Sequence, residues 1–110
     1  MPFEVQTSRG DEDGVVVLAV RGDLDAVTAP ELTEEISAKL AGNPTALIVD
    51  LSEVDFLASA GMAALASAQS MSGNTRFGVV AAGSATGRPL RLIGMDLMFE
   101  VYPTLNAALG

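Results

Sequence analysis

Leu47-Ile-Val-Asp-Leu-Ser-Glu-Val-Asp-Phe-Leu-Ala-Ser-Ala-Gly61 is the stretch of sequence that decides the fold. Its first part, from Ala46 to Leu51, is apolar without alternation, which is typical of a strand buried on both faces beneath helices. An acidic turn is predicted next, and Ser59 then opens a helix of small residues that runs to Ser72. Backbone N–H groups at a helix N-terminus lack partners and attract negative groups. Ser59 is therefore placed either to cap the helix or to carry a phosphate.

Strand and helix signals alternate on both sides of this segment, which predicts an α/β fold. A hairpin is predicted from the weak strand Phe3 to Thr7, a turn at Asp11 to Gly14, and the β-branched strand Val15 to Arg21. Thr28-Ala-Pro-Glu31 has the spacing of a capping box and predicts a helix that ends before Gly42. Further elements are predicted at Arg76 to Ala81 (strand), Thr86 to Ile93 (helix), Phe99 to Tyr102 (strand) and Thr104 to Leu109 (helix).

Composition limits both the size of the protein and the chemistry open to it. A chain of 110 residues with 49% hydrophobic residues is expected to form one domain, residues 1–110. It contains neither His nor Cys, so Ser-His-Asp and Cys-His nucleophile systems and thiolate or imidazole metal sites are excluded. Lys39 is the only lysine and lies at the far end of its predicted helix from Ser59, and no phosphate-binding loop is present. We therefore expect no enzymatic activity, metal or cofactor.

Charge and hydropathy limit the partners. Fourteen acidic residues against six basic ones give a net charge of −8, and such a surface repels nucleic acid. The charge serves solubility, and it also suits a partner with a basic patch that meets Asp23, Asp25 and Asp55. No secretory signal and no apolar run long enough to span a membrane is visible. A cytoplasmic protein without membrane insertion is expected.

Two ordered motifs carry a family resemblance. Asp50-Leu-Ser, Val54-Asp-Phe-Leu and Ser59-Ala-Gly-Met, preceded by Arg21-Gly-Asp-Leu-Asp and Thr28-Ala-Pro, resemble the STAS-domain family, specifically its short bacterial anti-sigma-factor antagonists. The resemblance implies a small mixed β-sheet of four to five strands, with about four helices packed mainly on one side. It also implies that the unphosphorylated protein binds an anti-sigma-factor serine kinase of the ATP-binding type and so releases a sigma factor. The kinase would phosphorylate Ser59 and end the binding, and a separate phosphatase would reset it.

The same resemblance predicts which residues face the partner. It places the loop from Gly22 to Thr28 beside Ser59, and this docking face would contain Asp23, Asp25, Thr28, Ala58, Ser59, Gly61 and Met62. The alternative for Asp23 and Asp25 is an ordinary polar turn in which Asp25 helps the helix to start. The apolar residues Phe56, Leu57, Met62 and Leu65 are expected in the core, with partial exposure beside the serine as the alternative for Met62. The stretch from Met95 to Phe99 either packs the last helices or presents an apolar patch.

The residues next to Ser59, the expected phosphate acceptor, depart from the family pattern. Where many relatives have Asp-Ser-Ser-Gly, this chain has Ala58-Ser-Ala-Gly61. The missing carboxylate leaves open how efficiently the site is phosphorylated, and Ala60 makes Ser59 the single candidate hydroxyl. The rival function is that of a STAS accessory subunit of a membrane lipid or anion transporter. A third, an enzyme, would need a base supplied by another chain. The retained Ser59 favours regulation.

Overall fold

The computed structural model describes residues 3–9 and 14–110, and the predicted turn at Asp11 to Gly14 lies outside these residues except for Gly14. Strands and helices alternate after an initial hairpin. Their bounds are β1 Glu4–Arg9, β2 Val15–Leu24, α1 Ala29–Leu40, β3 Ala46–Leu57, α2 Ser59–Met71, β4 Arg76–Val80, α3 Gly87–Leu92, a 3₁₀ turn Met95–Leu97, β5 Glu100–Tyr102 and α4 Leu105–Leu109.

The described strands form one mixed sheet of five strands in the order β1-β2-β3-β4-β5. β1 and β2 are antiparallel, as the predicted hairpin requires, whereas β2, β3, β4 and β5 are mutually parallel. Parallel neighbours need a crossover, which helices supply here. The carboxyl ends of β2, β3 and β4 consequently lie at the same end of the sheet. The segments that follow these strands lead into α1, α2 and α3.

The helices pack mainly on one face of the sheet, as expected. Leu32 and Ile36 of α1, Leu65 of α2 and Leu90 of α3 are fully buried in one core against the sheet. The short helix α4 covers the opposite face, where Ala108 packs against side chains from three strands, Val17, Ile48 and Val80. Among the described residues, no helix has both the length and the apolar character needed to cross a membrane.

The predicted acidic turn after Leu51 is wrong, because β3 continues as a strand to Leu57. The strand pairing changes register here. Gly22 pairs with Val54 and Asp23 with Phe56, so Asp55 is an extra residue that opposes no partner. An extra residue of this kind is a β-bulge, and it reverses the faces of the side chains that follow. Phe56 is therefore 55% exposed and not in the core as predicted, while Leu57 turns inward.

The predicted capping box at Thr28 is also wrong. Thr28 has helical dihedral angles and its hydroxyl caps no N–H of α1, because that hydroxyl is already bonded within the preceding loop. Ser59 does not cap α2 either. The N-cap is Ala58, in an extended conformation, and Ser59 is the first helical residue.

Candidate partner-binding site around Ser59

The start of α2 lies directly beside the loop between β2 and α1. Leu24 and Leu57 are paired at the ends of the two parallel strands. One residue further, the backbone N–H of Ala58 donates to the carbonyl of Leu24 across 2.9 Å. These contacts fix the chain that carries Ser59 against the chain that carries Asp25. The two segments that the resemblance placed together are adjacent in the structure, although residues 22–24 belong to β2 and not to the loop.

Ser59 is exposed at the N-terminus of α2, the positive end of the helix dipole. Its side chain is exposed, and its hydroxyl makes no hydrogen bond within the described part of the chain. The first turn of α2 contains no acidic residue, and its N-cap Ala58 has no side chain able to bond the free N–H groups. Three N–H groups at the start of the 13-residue helix, those of Ser59, Ala60 and Gly61, precede the first bond from Met62 to Ala58. An anion attached to Ser59 would meet these donors and the positive end of the helix dipole.

The loop before α1 is held by its own side chains. The Asp25 carboxylate accepts hydrogen bonds from the N–H of Val27 at 3.0 Å and of Thr28 at 3.1 Å. The Thr28 hydroxyl accepts from the N–H of Asp25 at 2.9 Å and donates to the carbonyl of Asp23 at 2.8 Å. The bond from the Thr28 N–H is the largest cause that lowers the pKa of Asp25 below its ordinary value. Both residues therefore set the shape of the loop while remaining partly exposed.

Gly61 and Met62 connect the start of α2 to the core beneath Ser59. Gly61 is buried, and a Cβ added to it would lie 2.7 Å from Cγ of Leu24 and 2.9 Å from Cδ1 of Leu57. Only glycine lets the first turn of α2 approach the strand ends this closely. Met62 is partly buried and packs against the core. Gly61 thus positions Ser59 without itself reaching the surface, whereas Met62 is partly accessible.

Two apolar side chains that the sequence did not assign to the site extend the surface around Ser59. Val27 is 82% exposed at the tip of the loop before α1, and Phe56 is turned outward next to Asp23 in the paired strands. Asp23 and Asp55 are exposed beside them. Val27 lies between residues that the sequence had already marked, so its loop position was a usable signal. The exposure of Phe56 had no such signal, because it depends on the bulge at Asp55.

A shallow groove adjoins Ser59 between α1 and α2. It has a volume of about 550 Å³ and is lined mainly by small side chains, Ala26, Ala29, Pro30, Ala60, Ala63 and Ser67. The alanines of α2 at this groove follow a helical repeat, so they lie along one face. Such a lining accepts apolar side chains of a partner, and Glu34 is its one charged member.

Comparison with known proteins assigns this chain with its five-stranded mixed sheet to a family. The model of the STAS domain matches residues 8–108. The chain is 44% identical over 109 residues to the anti-sigma-F factor antagonist RsfB of Mycobacterium tuberculosis, covering 98% of this chain and 89% of that protein. It belongs to the STAS-domain family.

Solved structures agree with this assignment. An anti-sigma factor antagonist from Mycobacterium paratuberculosis is 48% identical, with a TM-score of 0.87 over 96% of this chain and 92% of that one. The Bacillus cell fate determinant SpoIIAA in its phosphorylated form has a TM-score of 0.69 over 97% of this chain and 96% of that one, at 16% identity, and shares the fold. These relatives are named for sigma-factor regulation or cell fate, which does not favour the alternative of a transporter subunit.

Proposed function

We propose that this chain is an anti-sigma-factor antagonist that binds an anti-sigma factor through the surface around Ser59 and thereby releases a sigma factor. The observation that carries the proposal is the exposed Ser59 hydroxyl at the start of α2, fixed beside the loop before α1. The names of the relatives at 44% and 48% identity support it. The protein acts by binding and has no catalytic activity of its own. Because sigma factors act in the cytoplasm, the proposal places the chain there.

The anti-sigma factor is proposed to be a serine kinase that uses ATP and phosphorylates Ser59. Phosphorylation adds a charge of about −1.5 to −2 at neutral pH. That charge arises on a surface that already carries Asp23 and Asp55 as exposed carboxylates. A partner fitted to a neutral hydroxyl would have to bury or displace the phosphate. A loss of about 2.8 kcal/mol lowers affinity roughly 100-fold, which is enough for a switch. A phosphatase would restore binding.

The fold is expected to tolerate the phosphate. The N–H groups of the first turn of α2 are free to bond its oxygens, and the helix dipole favours the negative charge there. Strand β3 and helix α2 are anchored by Leu57 and Leu65, which are buried beneath the surface. The switch therefore changes the docking surface and not the architecture.

Each predicted site residue has a distinct part in this proposal. Asp23 and Ser59 are exposed and contact the partner directly. Asp25 and Thr28 shape the adjoining loop through their mutual hydrogen bonds. Three further residues complete the surface, with Ala58 and Met62 partly accessible and Gly61 buried beneath. Ala58 carries no carboxylate, so the kinase meets only a methyl group directly before Ser59.

The decisive experiment compares binding to the cognate anti-sigma factor for the wild type, Ser59→Ala and Ser59→Glu. We expect Ser59→Ala to bind as the wild type does, and Ser59→Glu to bind at least tenfold more weakly. Ser70→Glu adds the same charge at an exposed position near the other end of α2 and serves as the control. A glutamate variant that binds as tightly as the wild type would disprove the switch.

A second measurement tests the acceptor itself. The wild type incubated with the anti-sigma factor and ATP should gain about 80 Da on the peptide that contains Ser59, and Ser59→Ala should gain none. Phosphate found on Ser67 or Ser70 of α2 instead would assign the acceptor to another residue.

A further inference from the structure

A second surface of the chain has the opposite character to that around Ser59. Arg88, Arg91 and Leu92 are exposed on α3 at a spacing that puts them on one face of the helix. The 3₁₀ turn packed against α3 adds Leu97, and the exposed fractions of Leu92 and Leu97 are 72% and 89%. We call these four residues, with Ile93, the basic apolar patch.

The basic apolar patch is positively charged, whereas the protein as a whole is acidic. Residues 87–98 carry one net positive charge in a chain whose total is −8. Neither Arg88 nor Arg91 forms an ion pair with any residue that the structure describes. Exposed large apolar side chains grouped together mark interaction surfaces in soluble proteins. The positive charge beside them indicates an acidic partner that also offers apolar side chains.

The surface around Ser59 has both properties. Asp23 and Asp55 are exposed there with Phe56 and Val27, which are large and apolar. We call these four residues the acidic apolar end. Its charge and its apolar side chains complement those of the basic apolar patch. The two surfaces occupy different elements, since one lies on α3 and the following turn, and the other on the last residues of β2 and β3 and the loop before α1.

We propose that two copies of this chain associate head to tail, with the basic apolar patch of one copy on the acidic apolar end of the other. Such a contact is heterologous, so each copy in a pair keeps one free surface and longer chains can grow. The contact has five named residues on one copy and four on the other, far fewer than the roughly 20–30 residues on each side of a stable interface, so the association is expected to be weak.

The contact has a consequence for regulation, which rests on the proposed function. Ser59 follows Phe56 closely in the chain, so a molecule bound to the acidic apolar end would obstruct the approach of a kinase to Ser59. At high concentration, self-association would thus keep part of the protein unphosphorylated. The association itself requires no anti-sigma factor, so its test is independent of the proposed function.

Sedimentation equilibrium of the full chain at concentrations up to about 1 mM tests the proposal. We expect the average mass of the wild type to rise with concentration at about 0.15 M salt, where the repulsion between two copies of net charge −8 is largely screened. Arg88→Glu with Arg91→Glu should abolish it, and Leu97→Ser should weaken it at unchanged thermal stability because Leu97 is exposed. Arg9→Glu, on β1 and outside both surfaces, is the matched control for a reversed charge.

A mixing experiment identifies the two surfaces. Asp23→Asn with Asp55→Asn should be monomeric alone, as should Arg88→Glu with Arg91→Glu. The two variants mixed should form a 1:1 pair, because the first keeps a native basic apolar patch and the second a native acidic apolar end. A wild type that stays monomeric at about 1 mM overturns the proposal. So does association that survives both pairs of substitutions, or a monomer that binds anionic phospholipid vesicles through Arg88 and Arg91.

Discussion

Gly61 shows how a single residue connects the fold to the site. The position of a Cβ at residue 61 is within 3.0 Å of the Leu24 carbonyl as well as of two leucine side chains. Gly61→Ala therefore forces the start of α2 away from the strand ends. Overpacking of this kind costs about 1–3 kcal/mol, offset by up to about 1 kcal/mol from the better helix propensity of Ala. We expect a net loss of roughly 1–2 kcal/mol in the free energy of unfolding by urea.

The matched control is Gly42→Ala, after the end of α1, where a Cβ would lie an ordinary 3.5 Å from the Lys39 carbonyl oxygen. That variant should be as stable as the wild type or slightly more stable. A Gly61→Ala protein with wild-type stability would show that Leu24 and Leu57 yield easily. Steric crowding would then not explain the glycine at this position.

The Asp25 carboxyl makes the stability of the folded protein depend on pH. Hydrogen bonds from Thr28 and Val27 hold the pKa of its carboxyl below the ordinary value of 3.8. A lowered pKa stabilises the folded protein above that ordinary value, and the contribution disappears as the pH falls through the lowered pKa. Asp25→Asn keeps an acceptor oxygen but removes the charge. Its stability deficit relative to the wild type should be measurable at about pH 6 and should shrink at roughly pH 3. An equal deficit at both pH values would contradict this.

Among the elements, α4 depends on one cap. The Thr104 hydroxyl accepts a hydrogen bond from the N–H of Ala107 at 3.1 Å. Arg76 also holds the helix, because its guanidinium donates to the Ala108 carbonyl at 3.2 Å. Thr104→Ala should lower the free energy of unfolding by about 1 kcal/mol. Tyr102, the only tyrosine, packs against this helix, and its fluorescence can follow the loss.

Ser70→Ala is the control for that change, since Ser70 is exposed within α2 and its replacement should leave stability unchanged or slightly higher. Tyr102 fluorescence that reports the same unfolding midpoint for Thr104→Ala and the wild type would show that the cap contributes little. The face of the sheet formed by Val17, Ile48 and Val80 would then depend on Ala108 and Arg76 for its cover.

The sequence predicts element types better than the contacts that end them. Hydrophobic runs and Gly and Pro residues located each strand and helix, because periodicity and backbone restriction act locally. The capping box failed because Thr28 bonds the carbonyl of Asp23 instead of α1. The length of β3 was missed because its last residues, up to Leu57, are strand only through pairing with β2. Such pairing is a tertiary effect that overrides local composition.

At the scale of the whole molecule, the family motifs placed the loop at Asp25 beside Ser59 in the predicted docking face, and these two segments do lie together. The motifs did not predict the apolar part of that face. Phe56 is exposed because of a register change between two strands, which no short motif encodes. The sequence left two alternatives for the stretch from Met95 to Phe99, and in the structure Met95 and Phe99 are buried while Leu97 is exposed. The basic apolar patch shares only Leu97 with that stretch, and its arginines were not predicted to form a surface.

The net charge of −8 leads to a kinetic prediction for the proposed complex. If the anti-sigma factor offers a basic surface, opposite charges steer the two proteins together, and salt screens this attraction. We expect the association rate constant to fall as salt is raised from about 0.05 to 0.5 M, with the dissociation rate constant nearly unchanged. Asp23→Asn with Asp55→Asn should flatten the dependence, whereas Glu4→Gln, on β1, should change it little. An association rate independent of salt in stopped-flow measurements would show that these carboxylates do not steer the encounter.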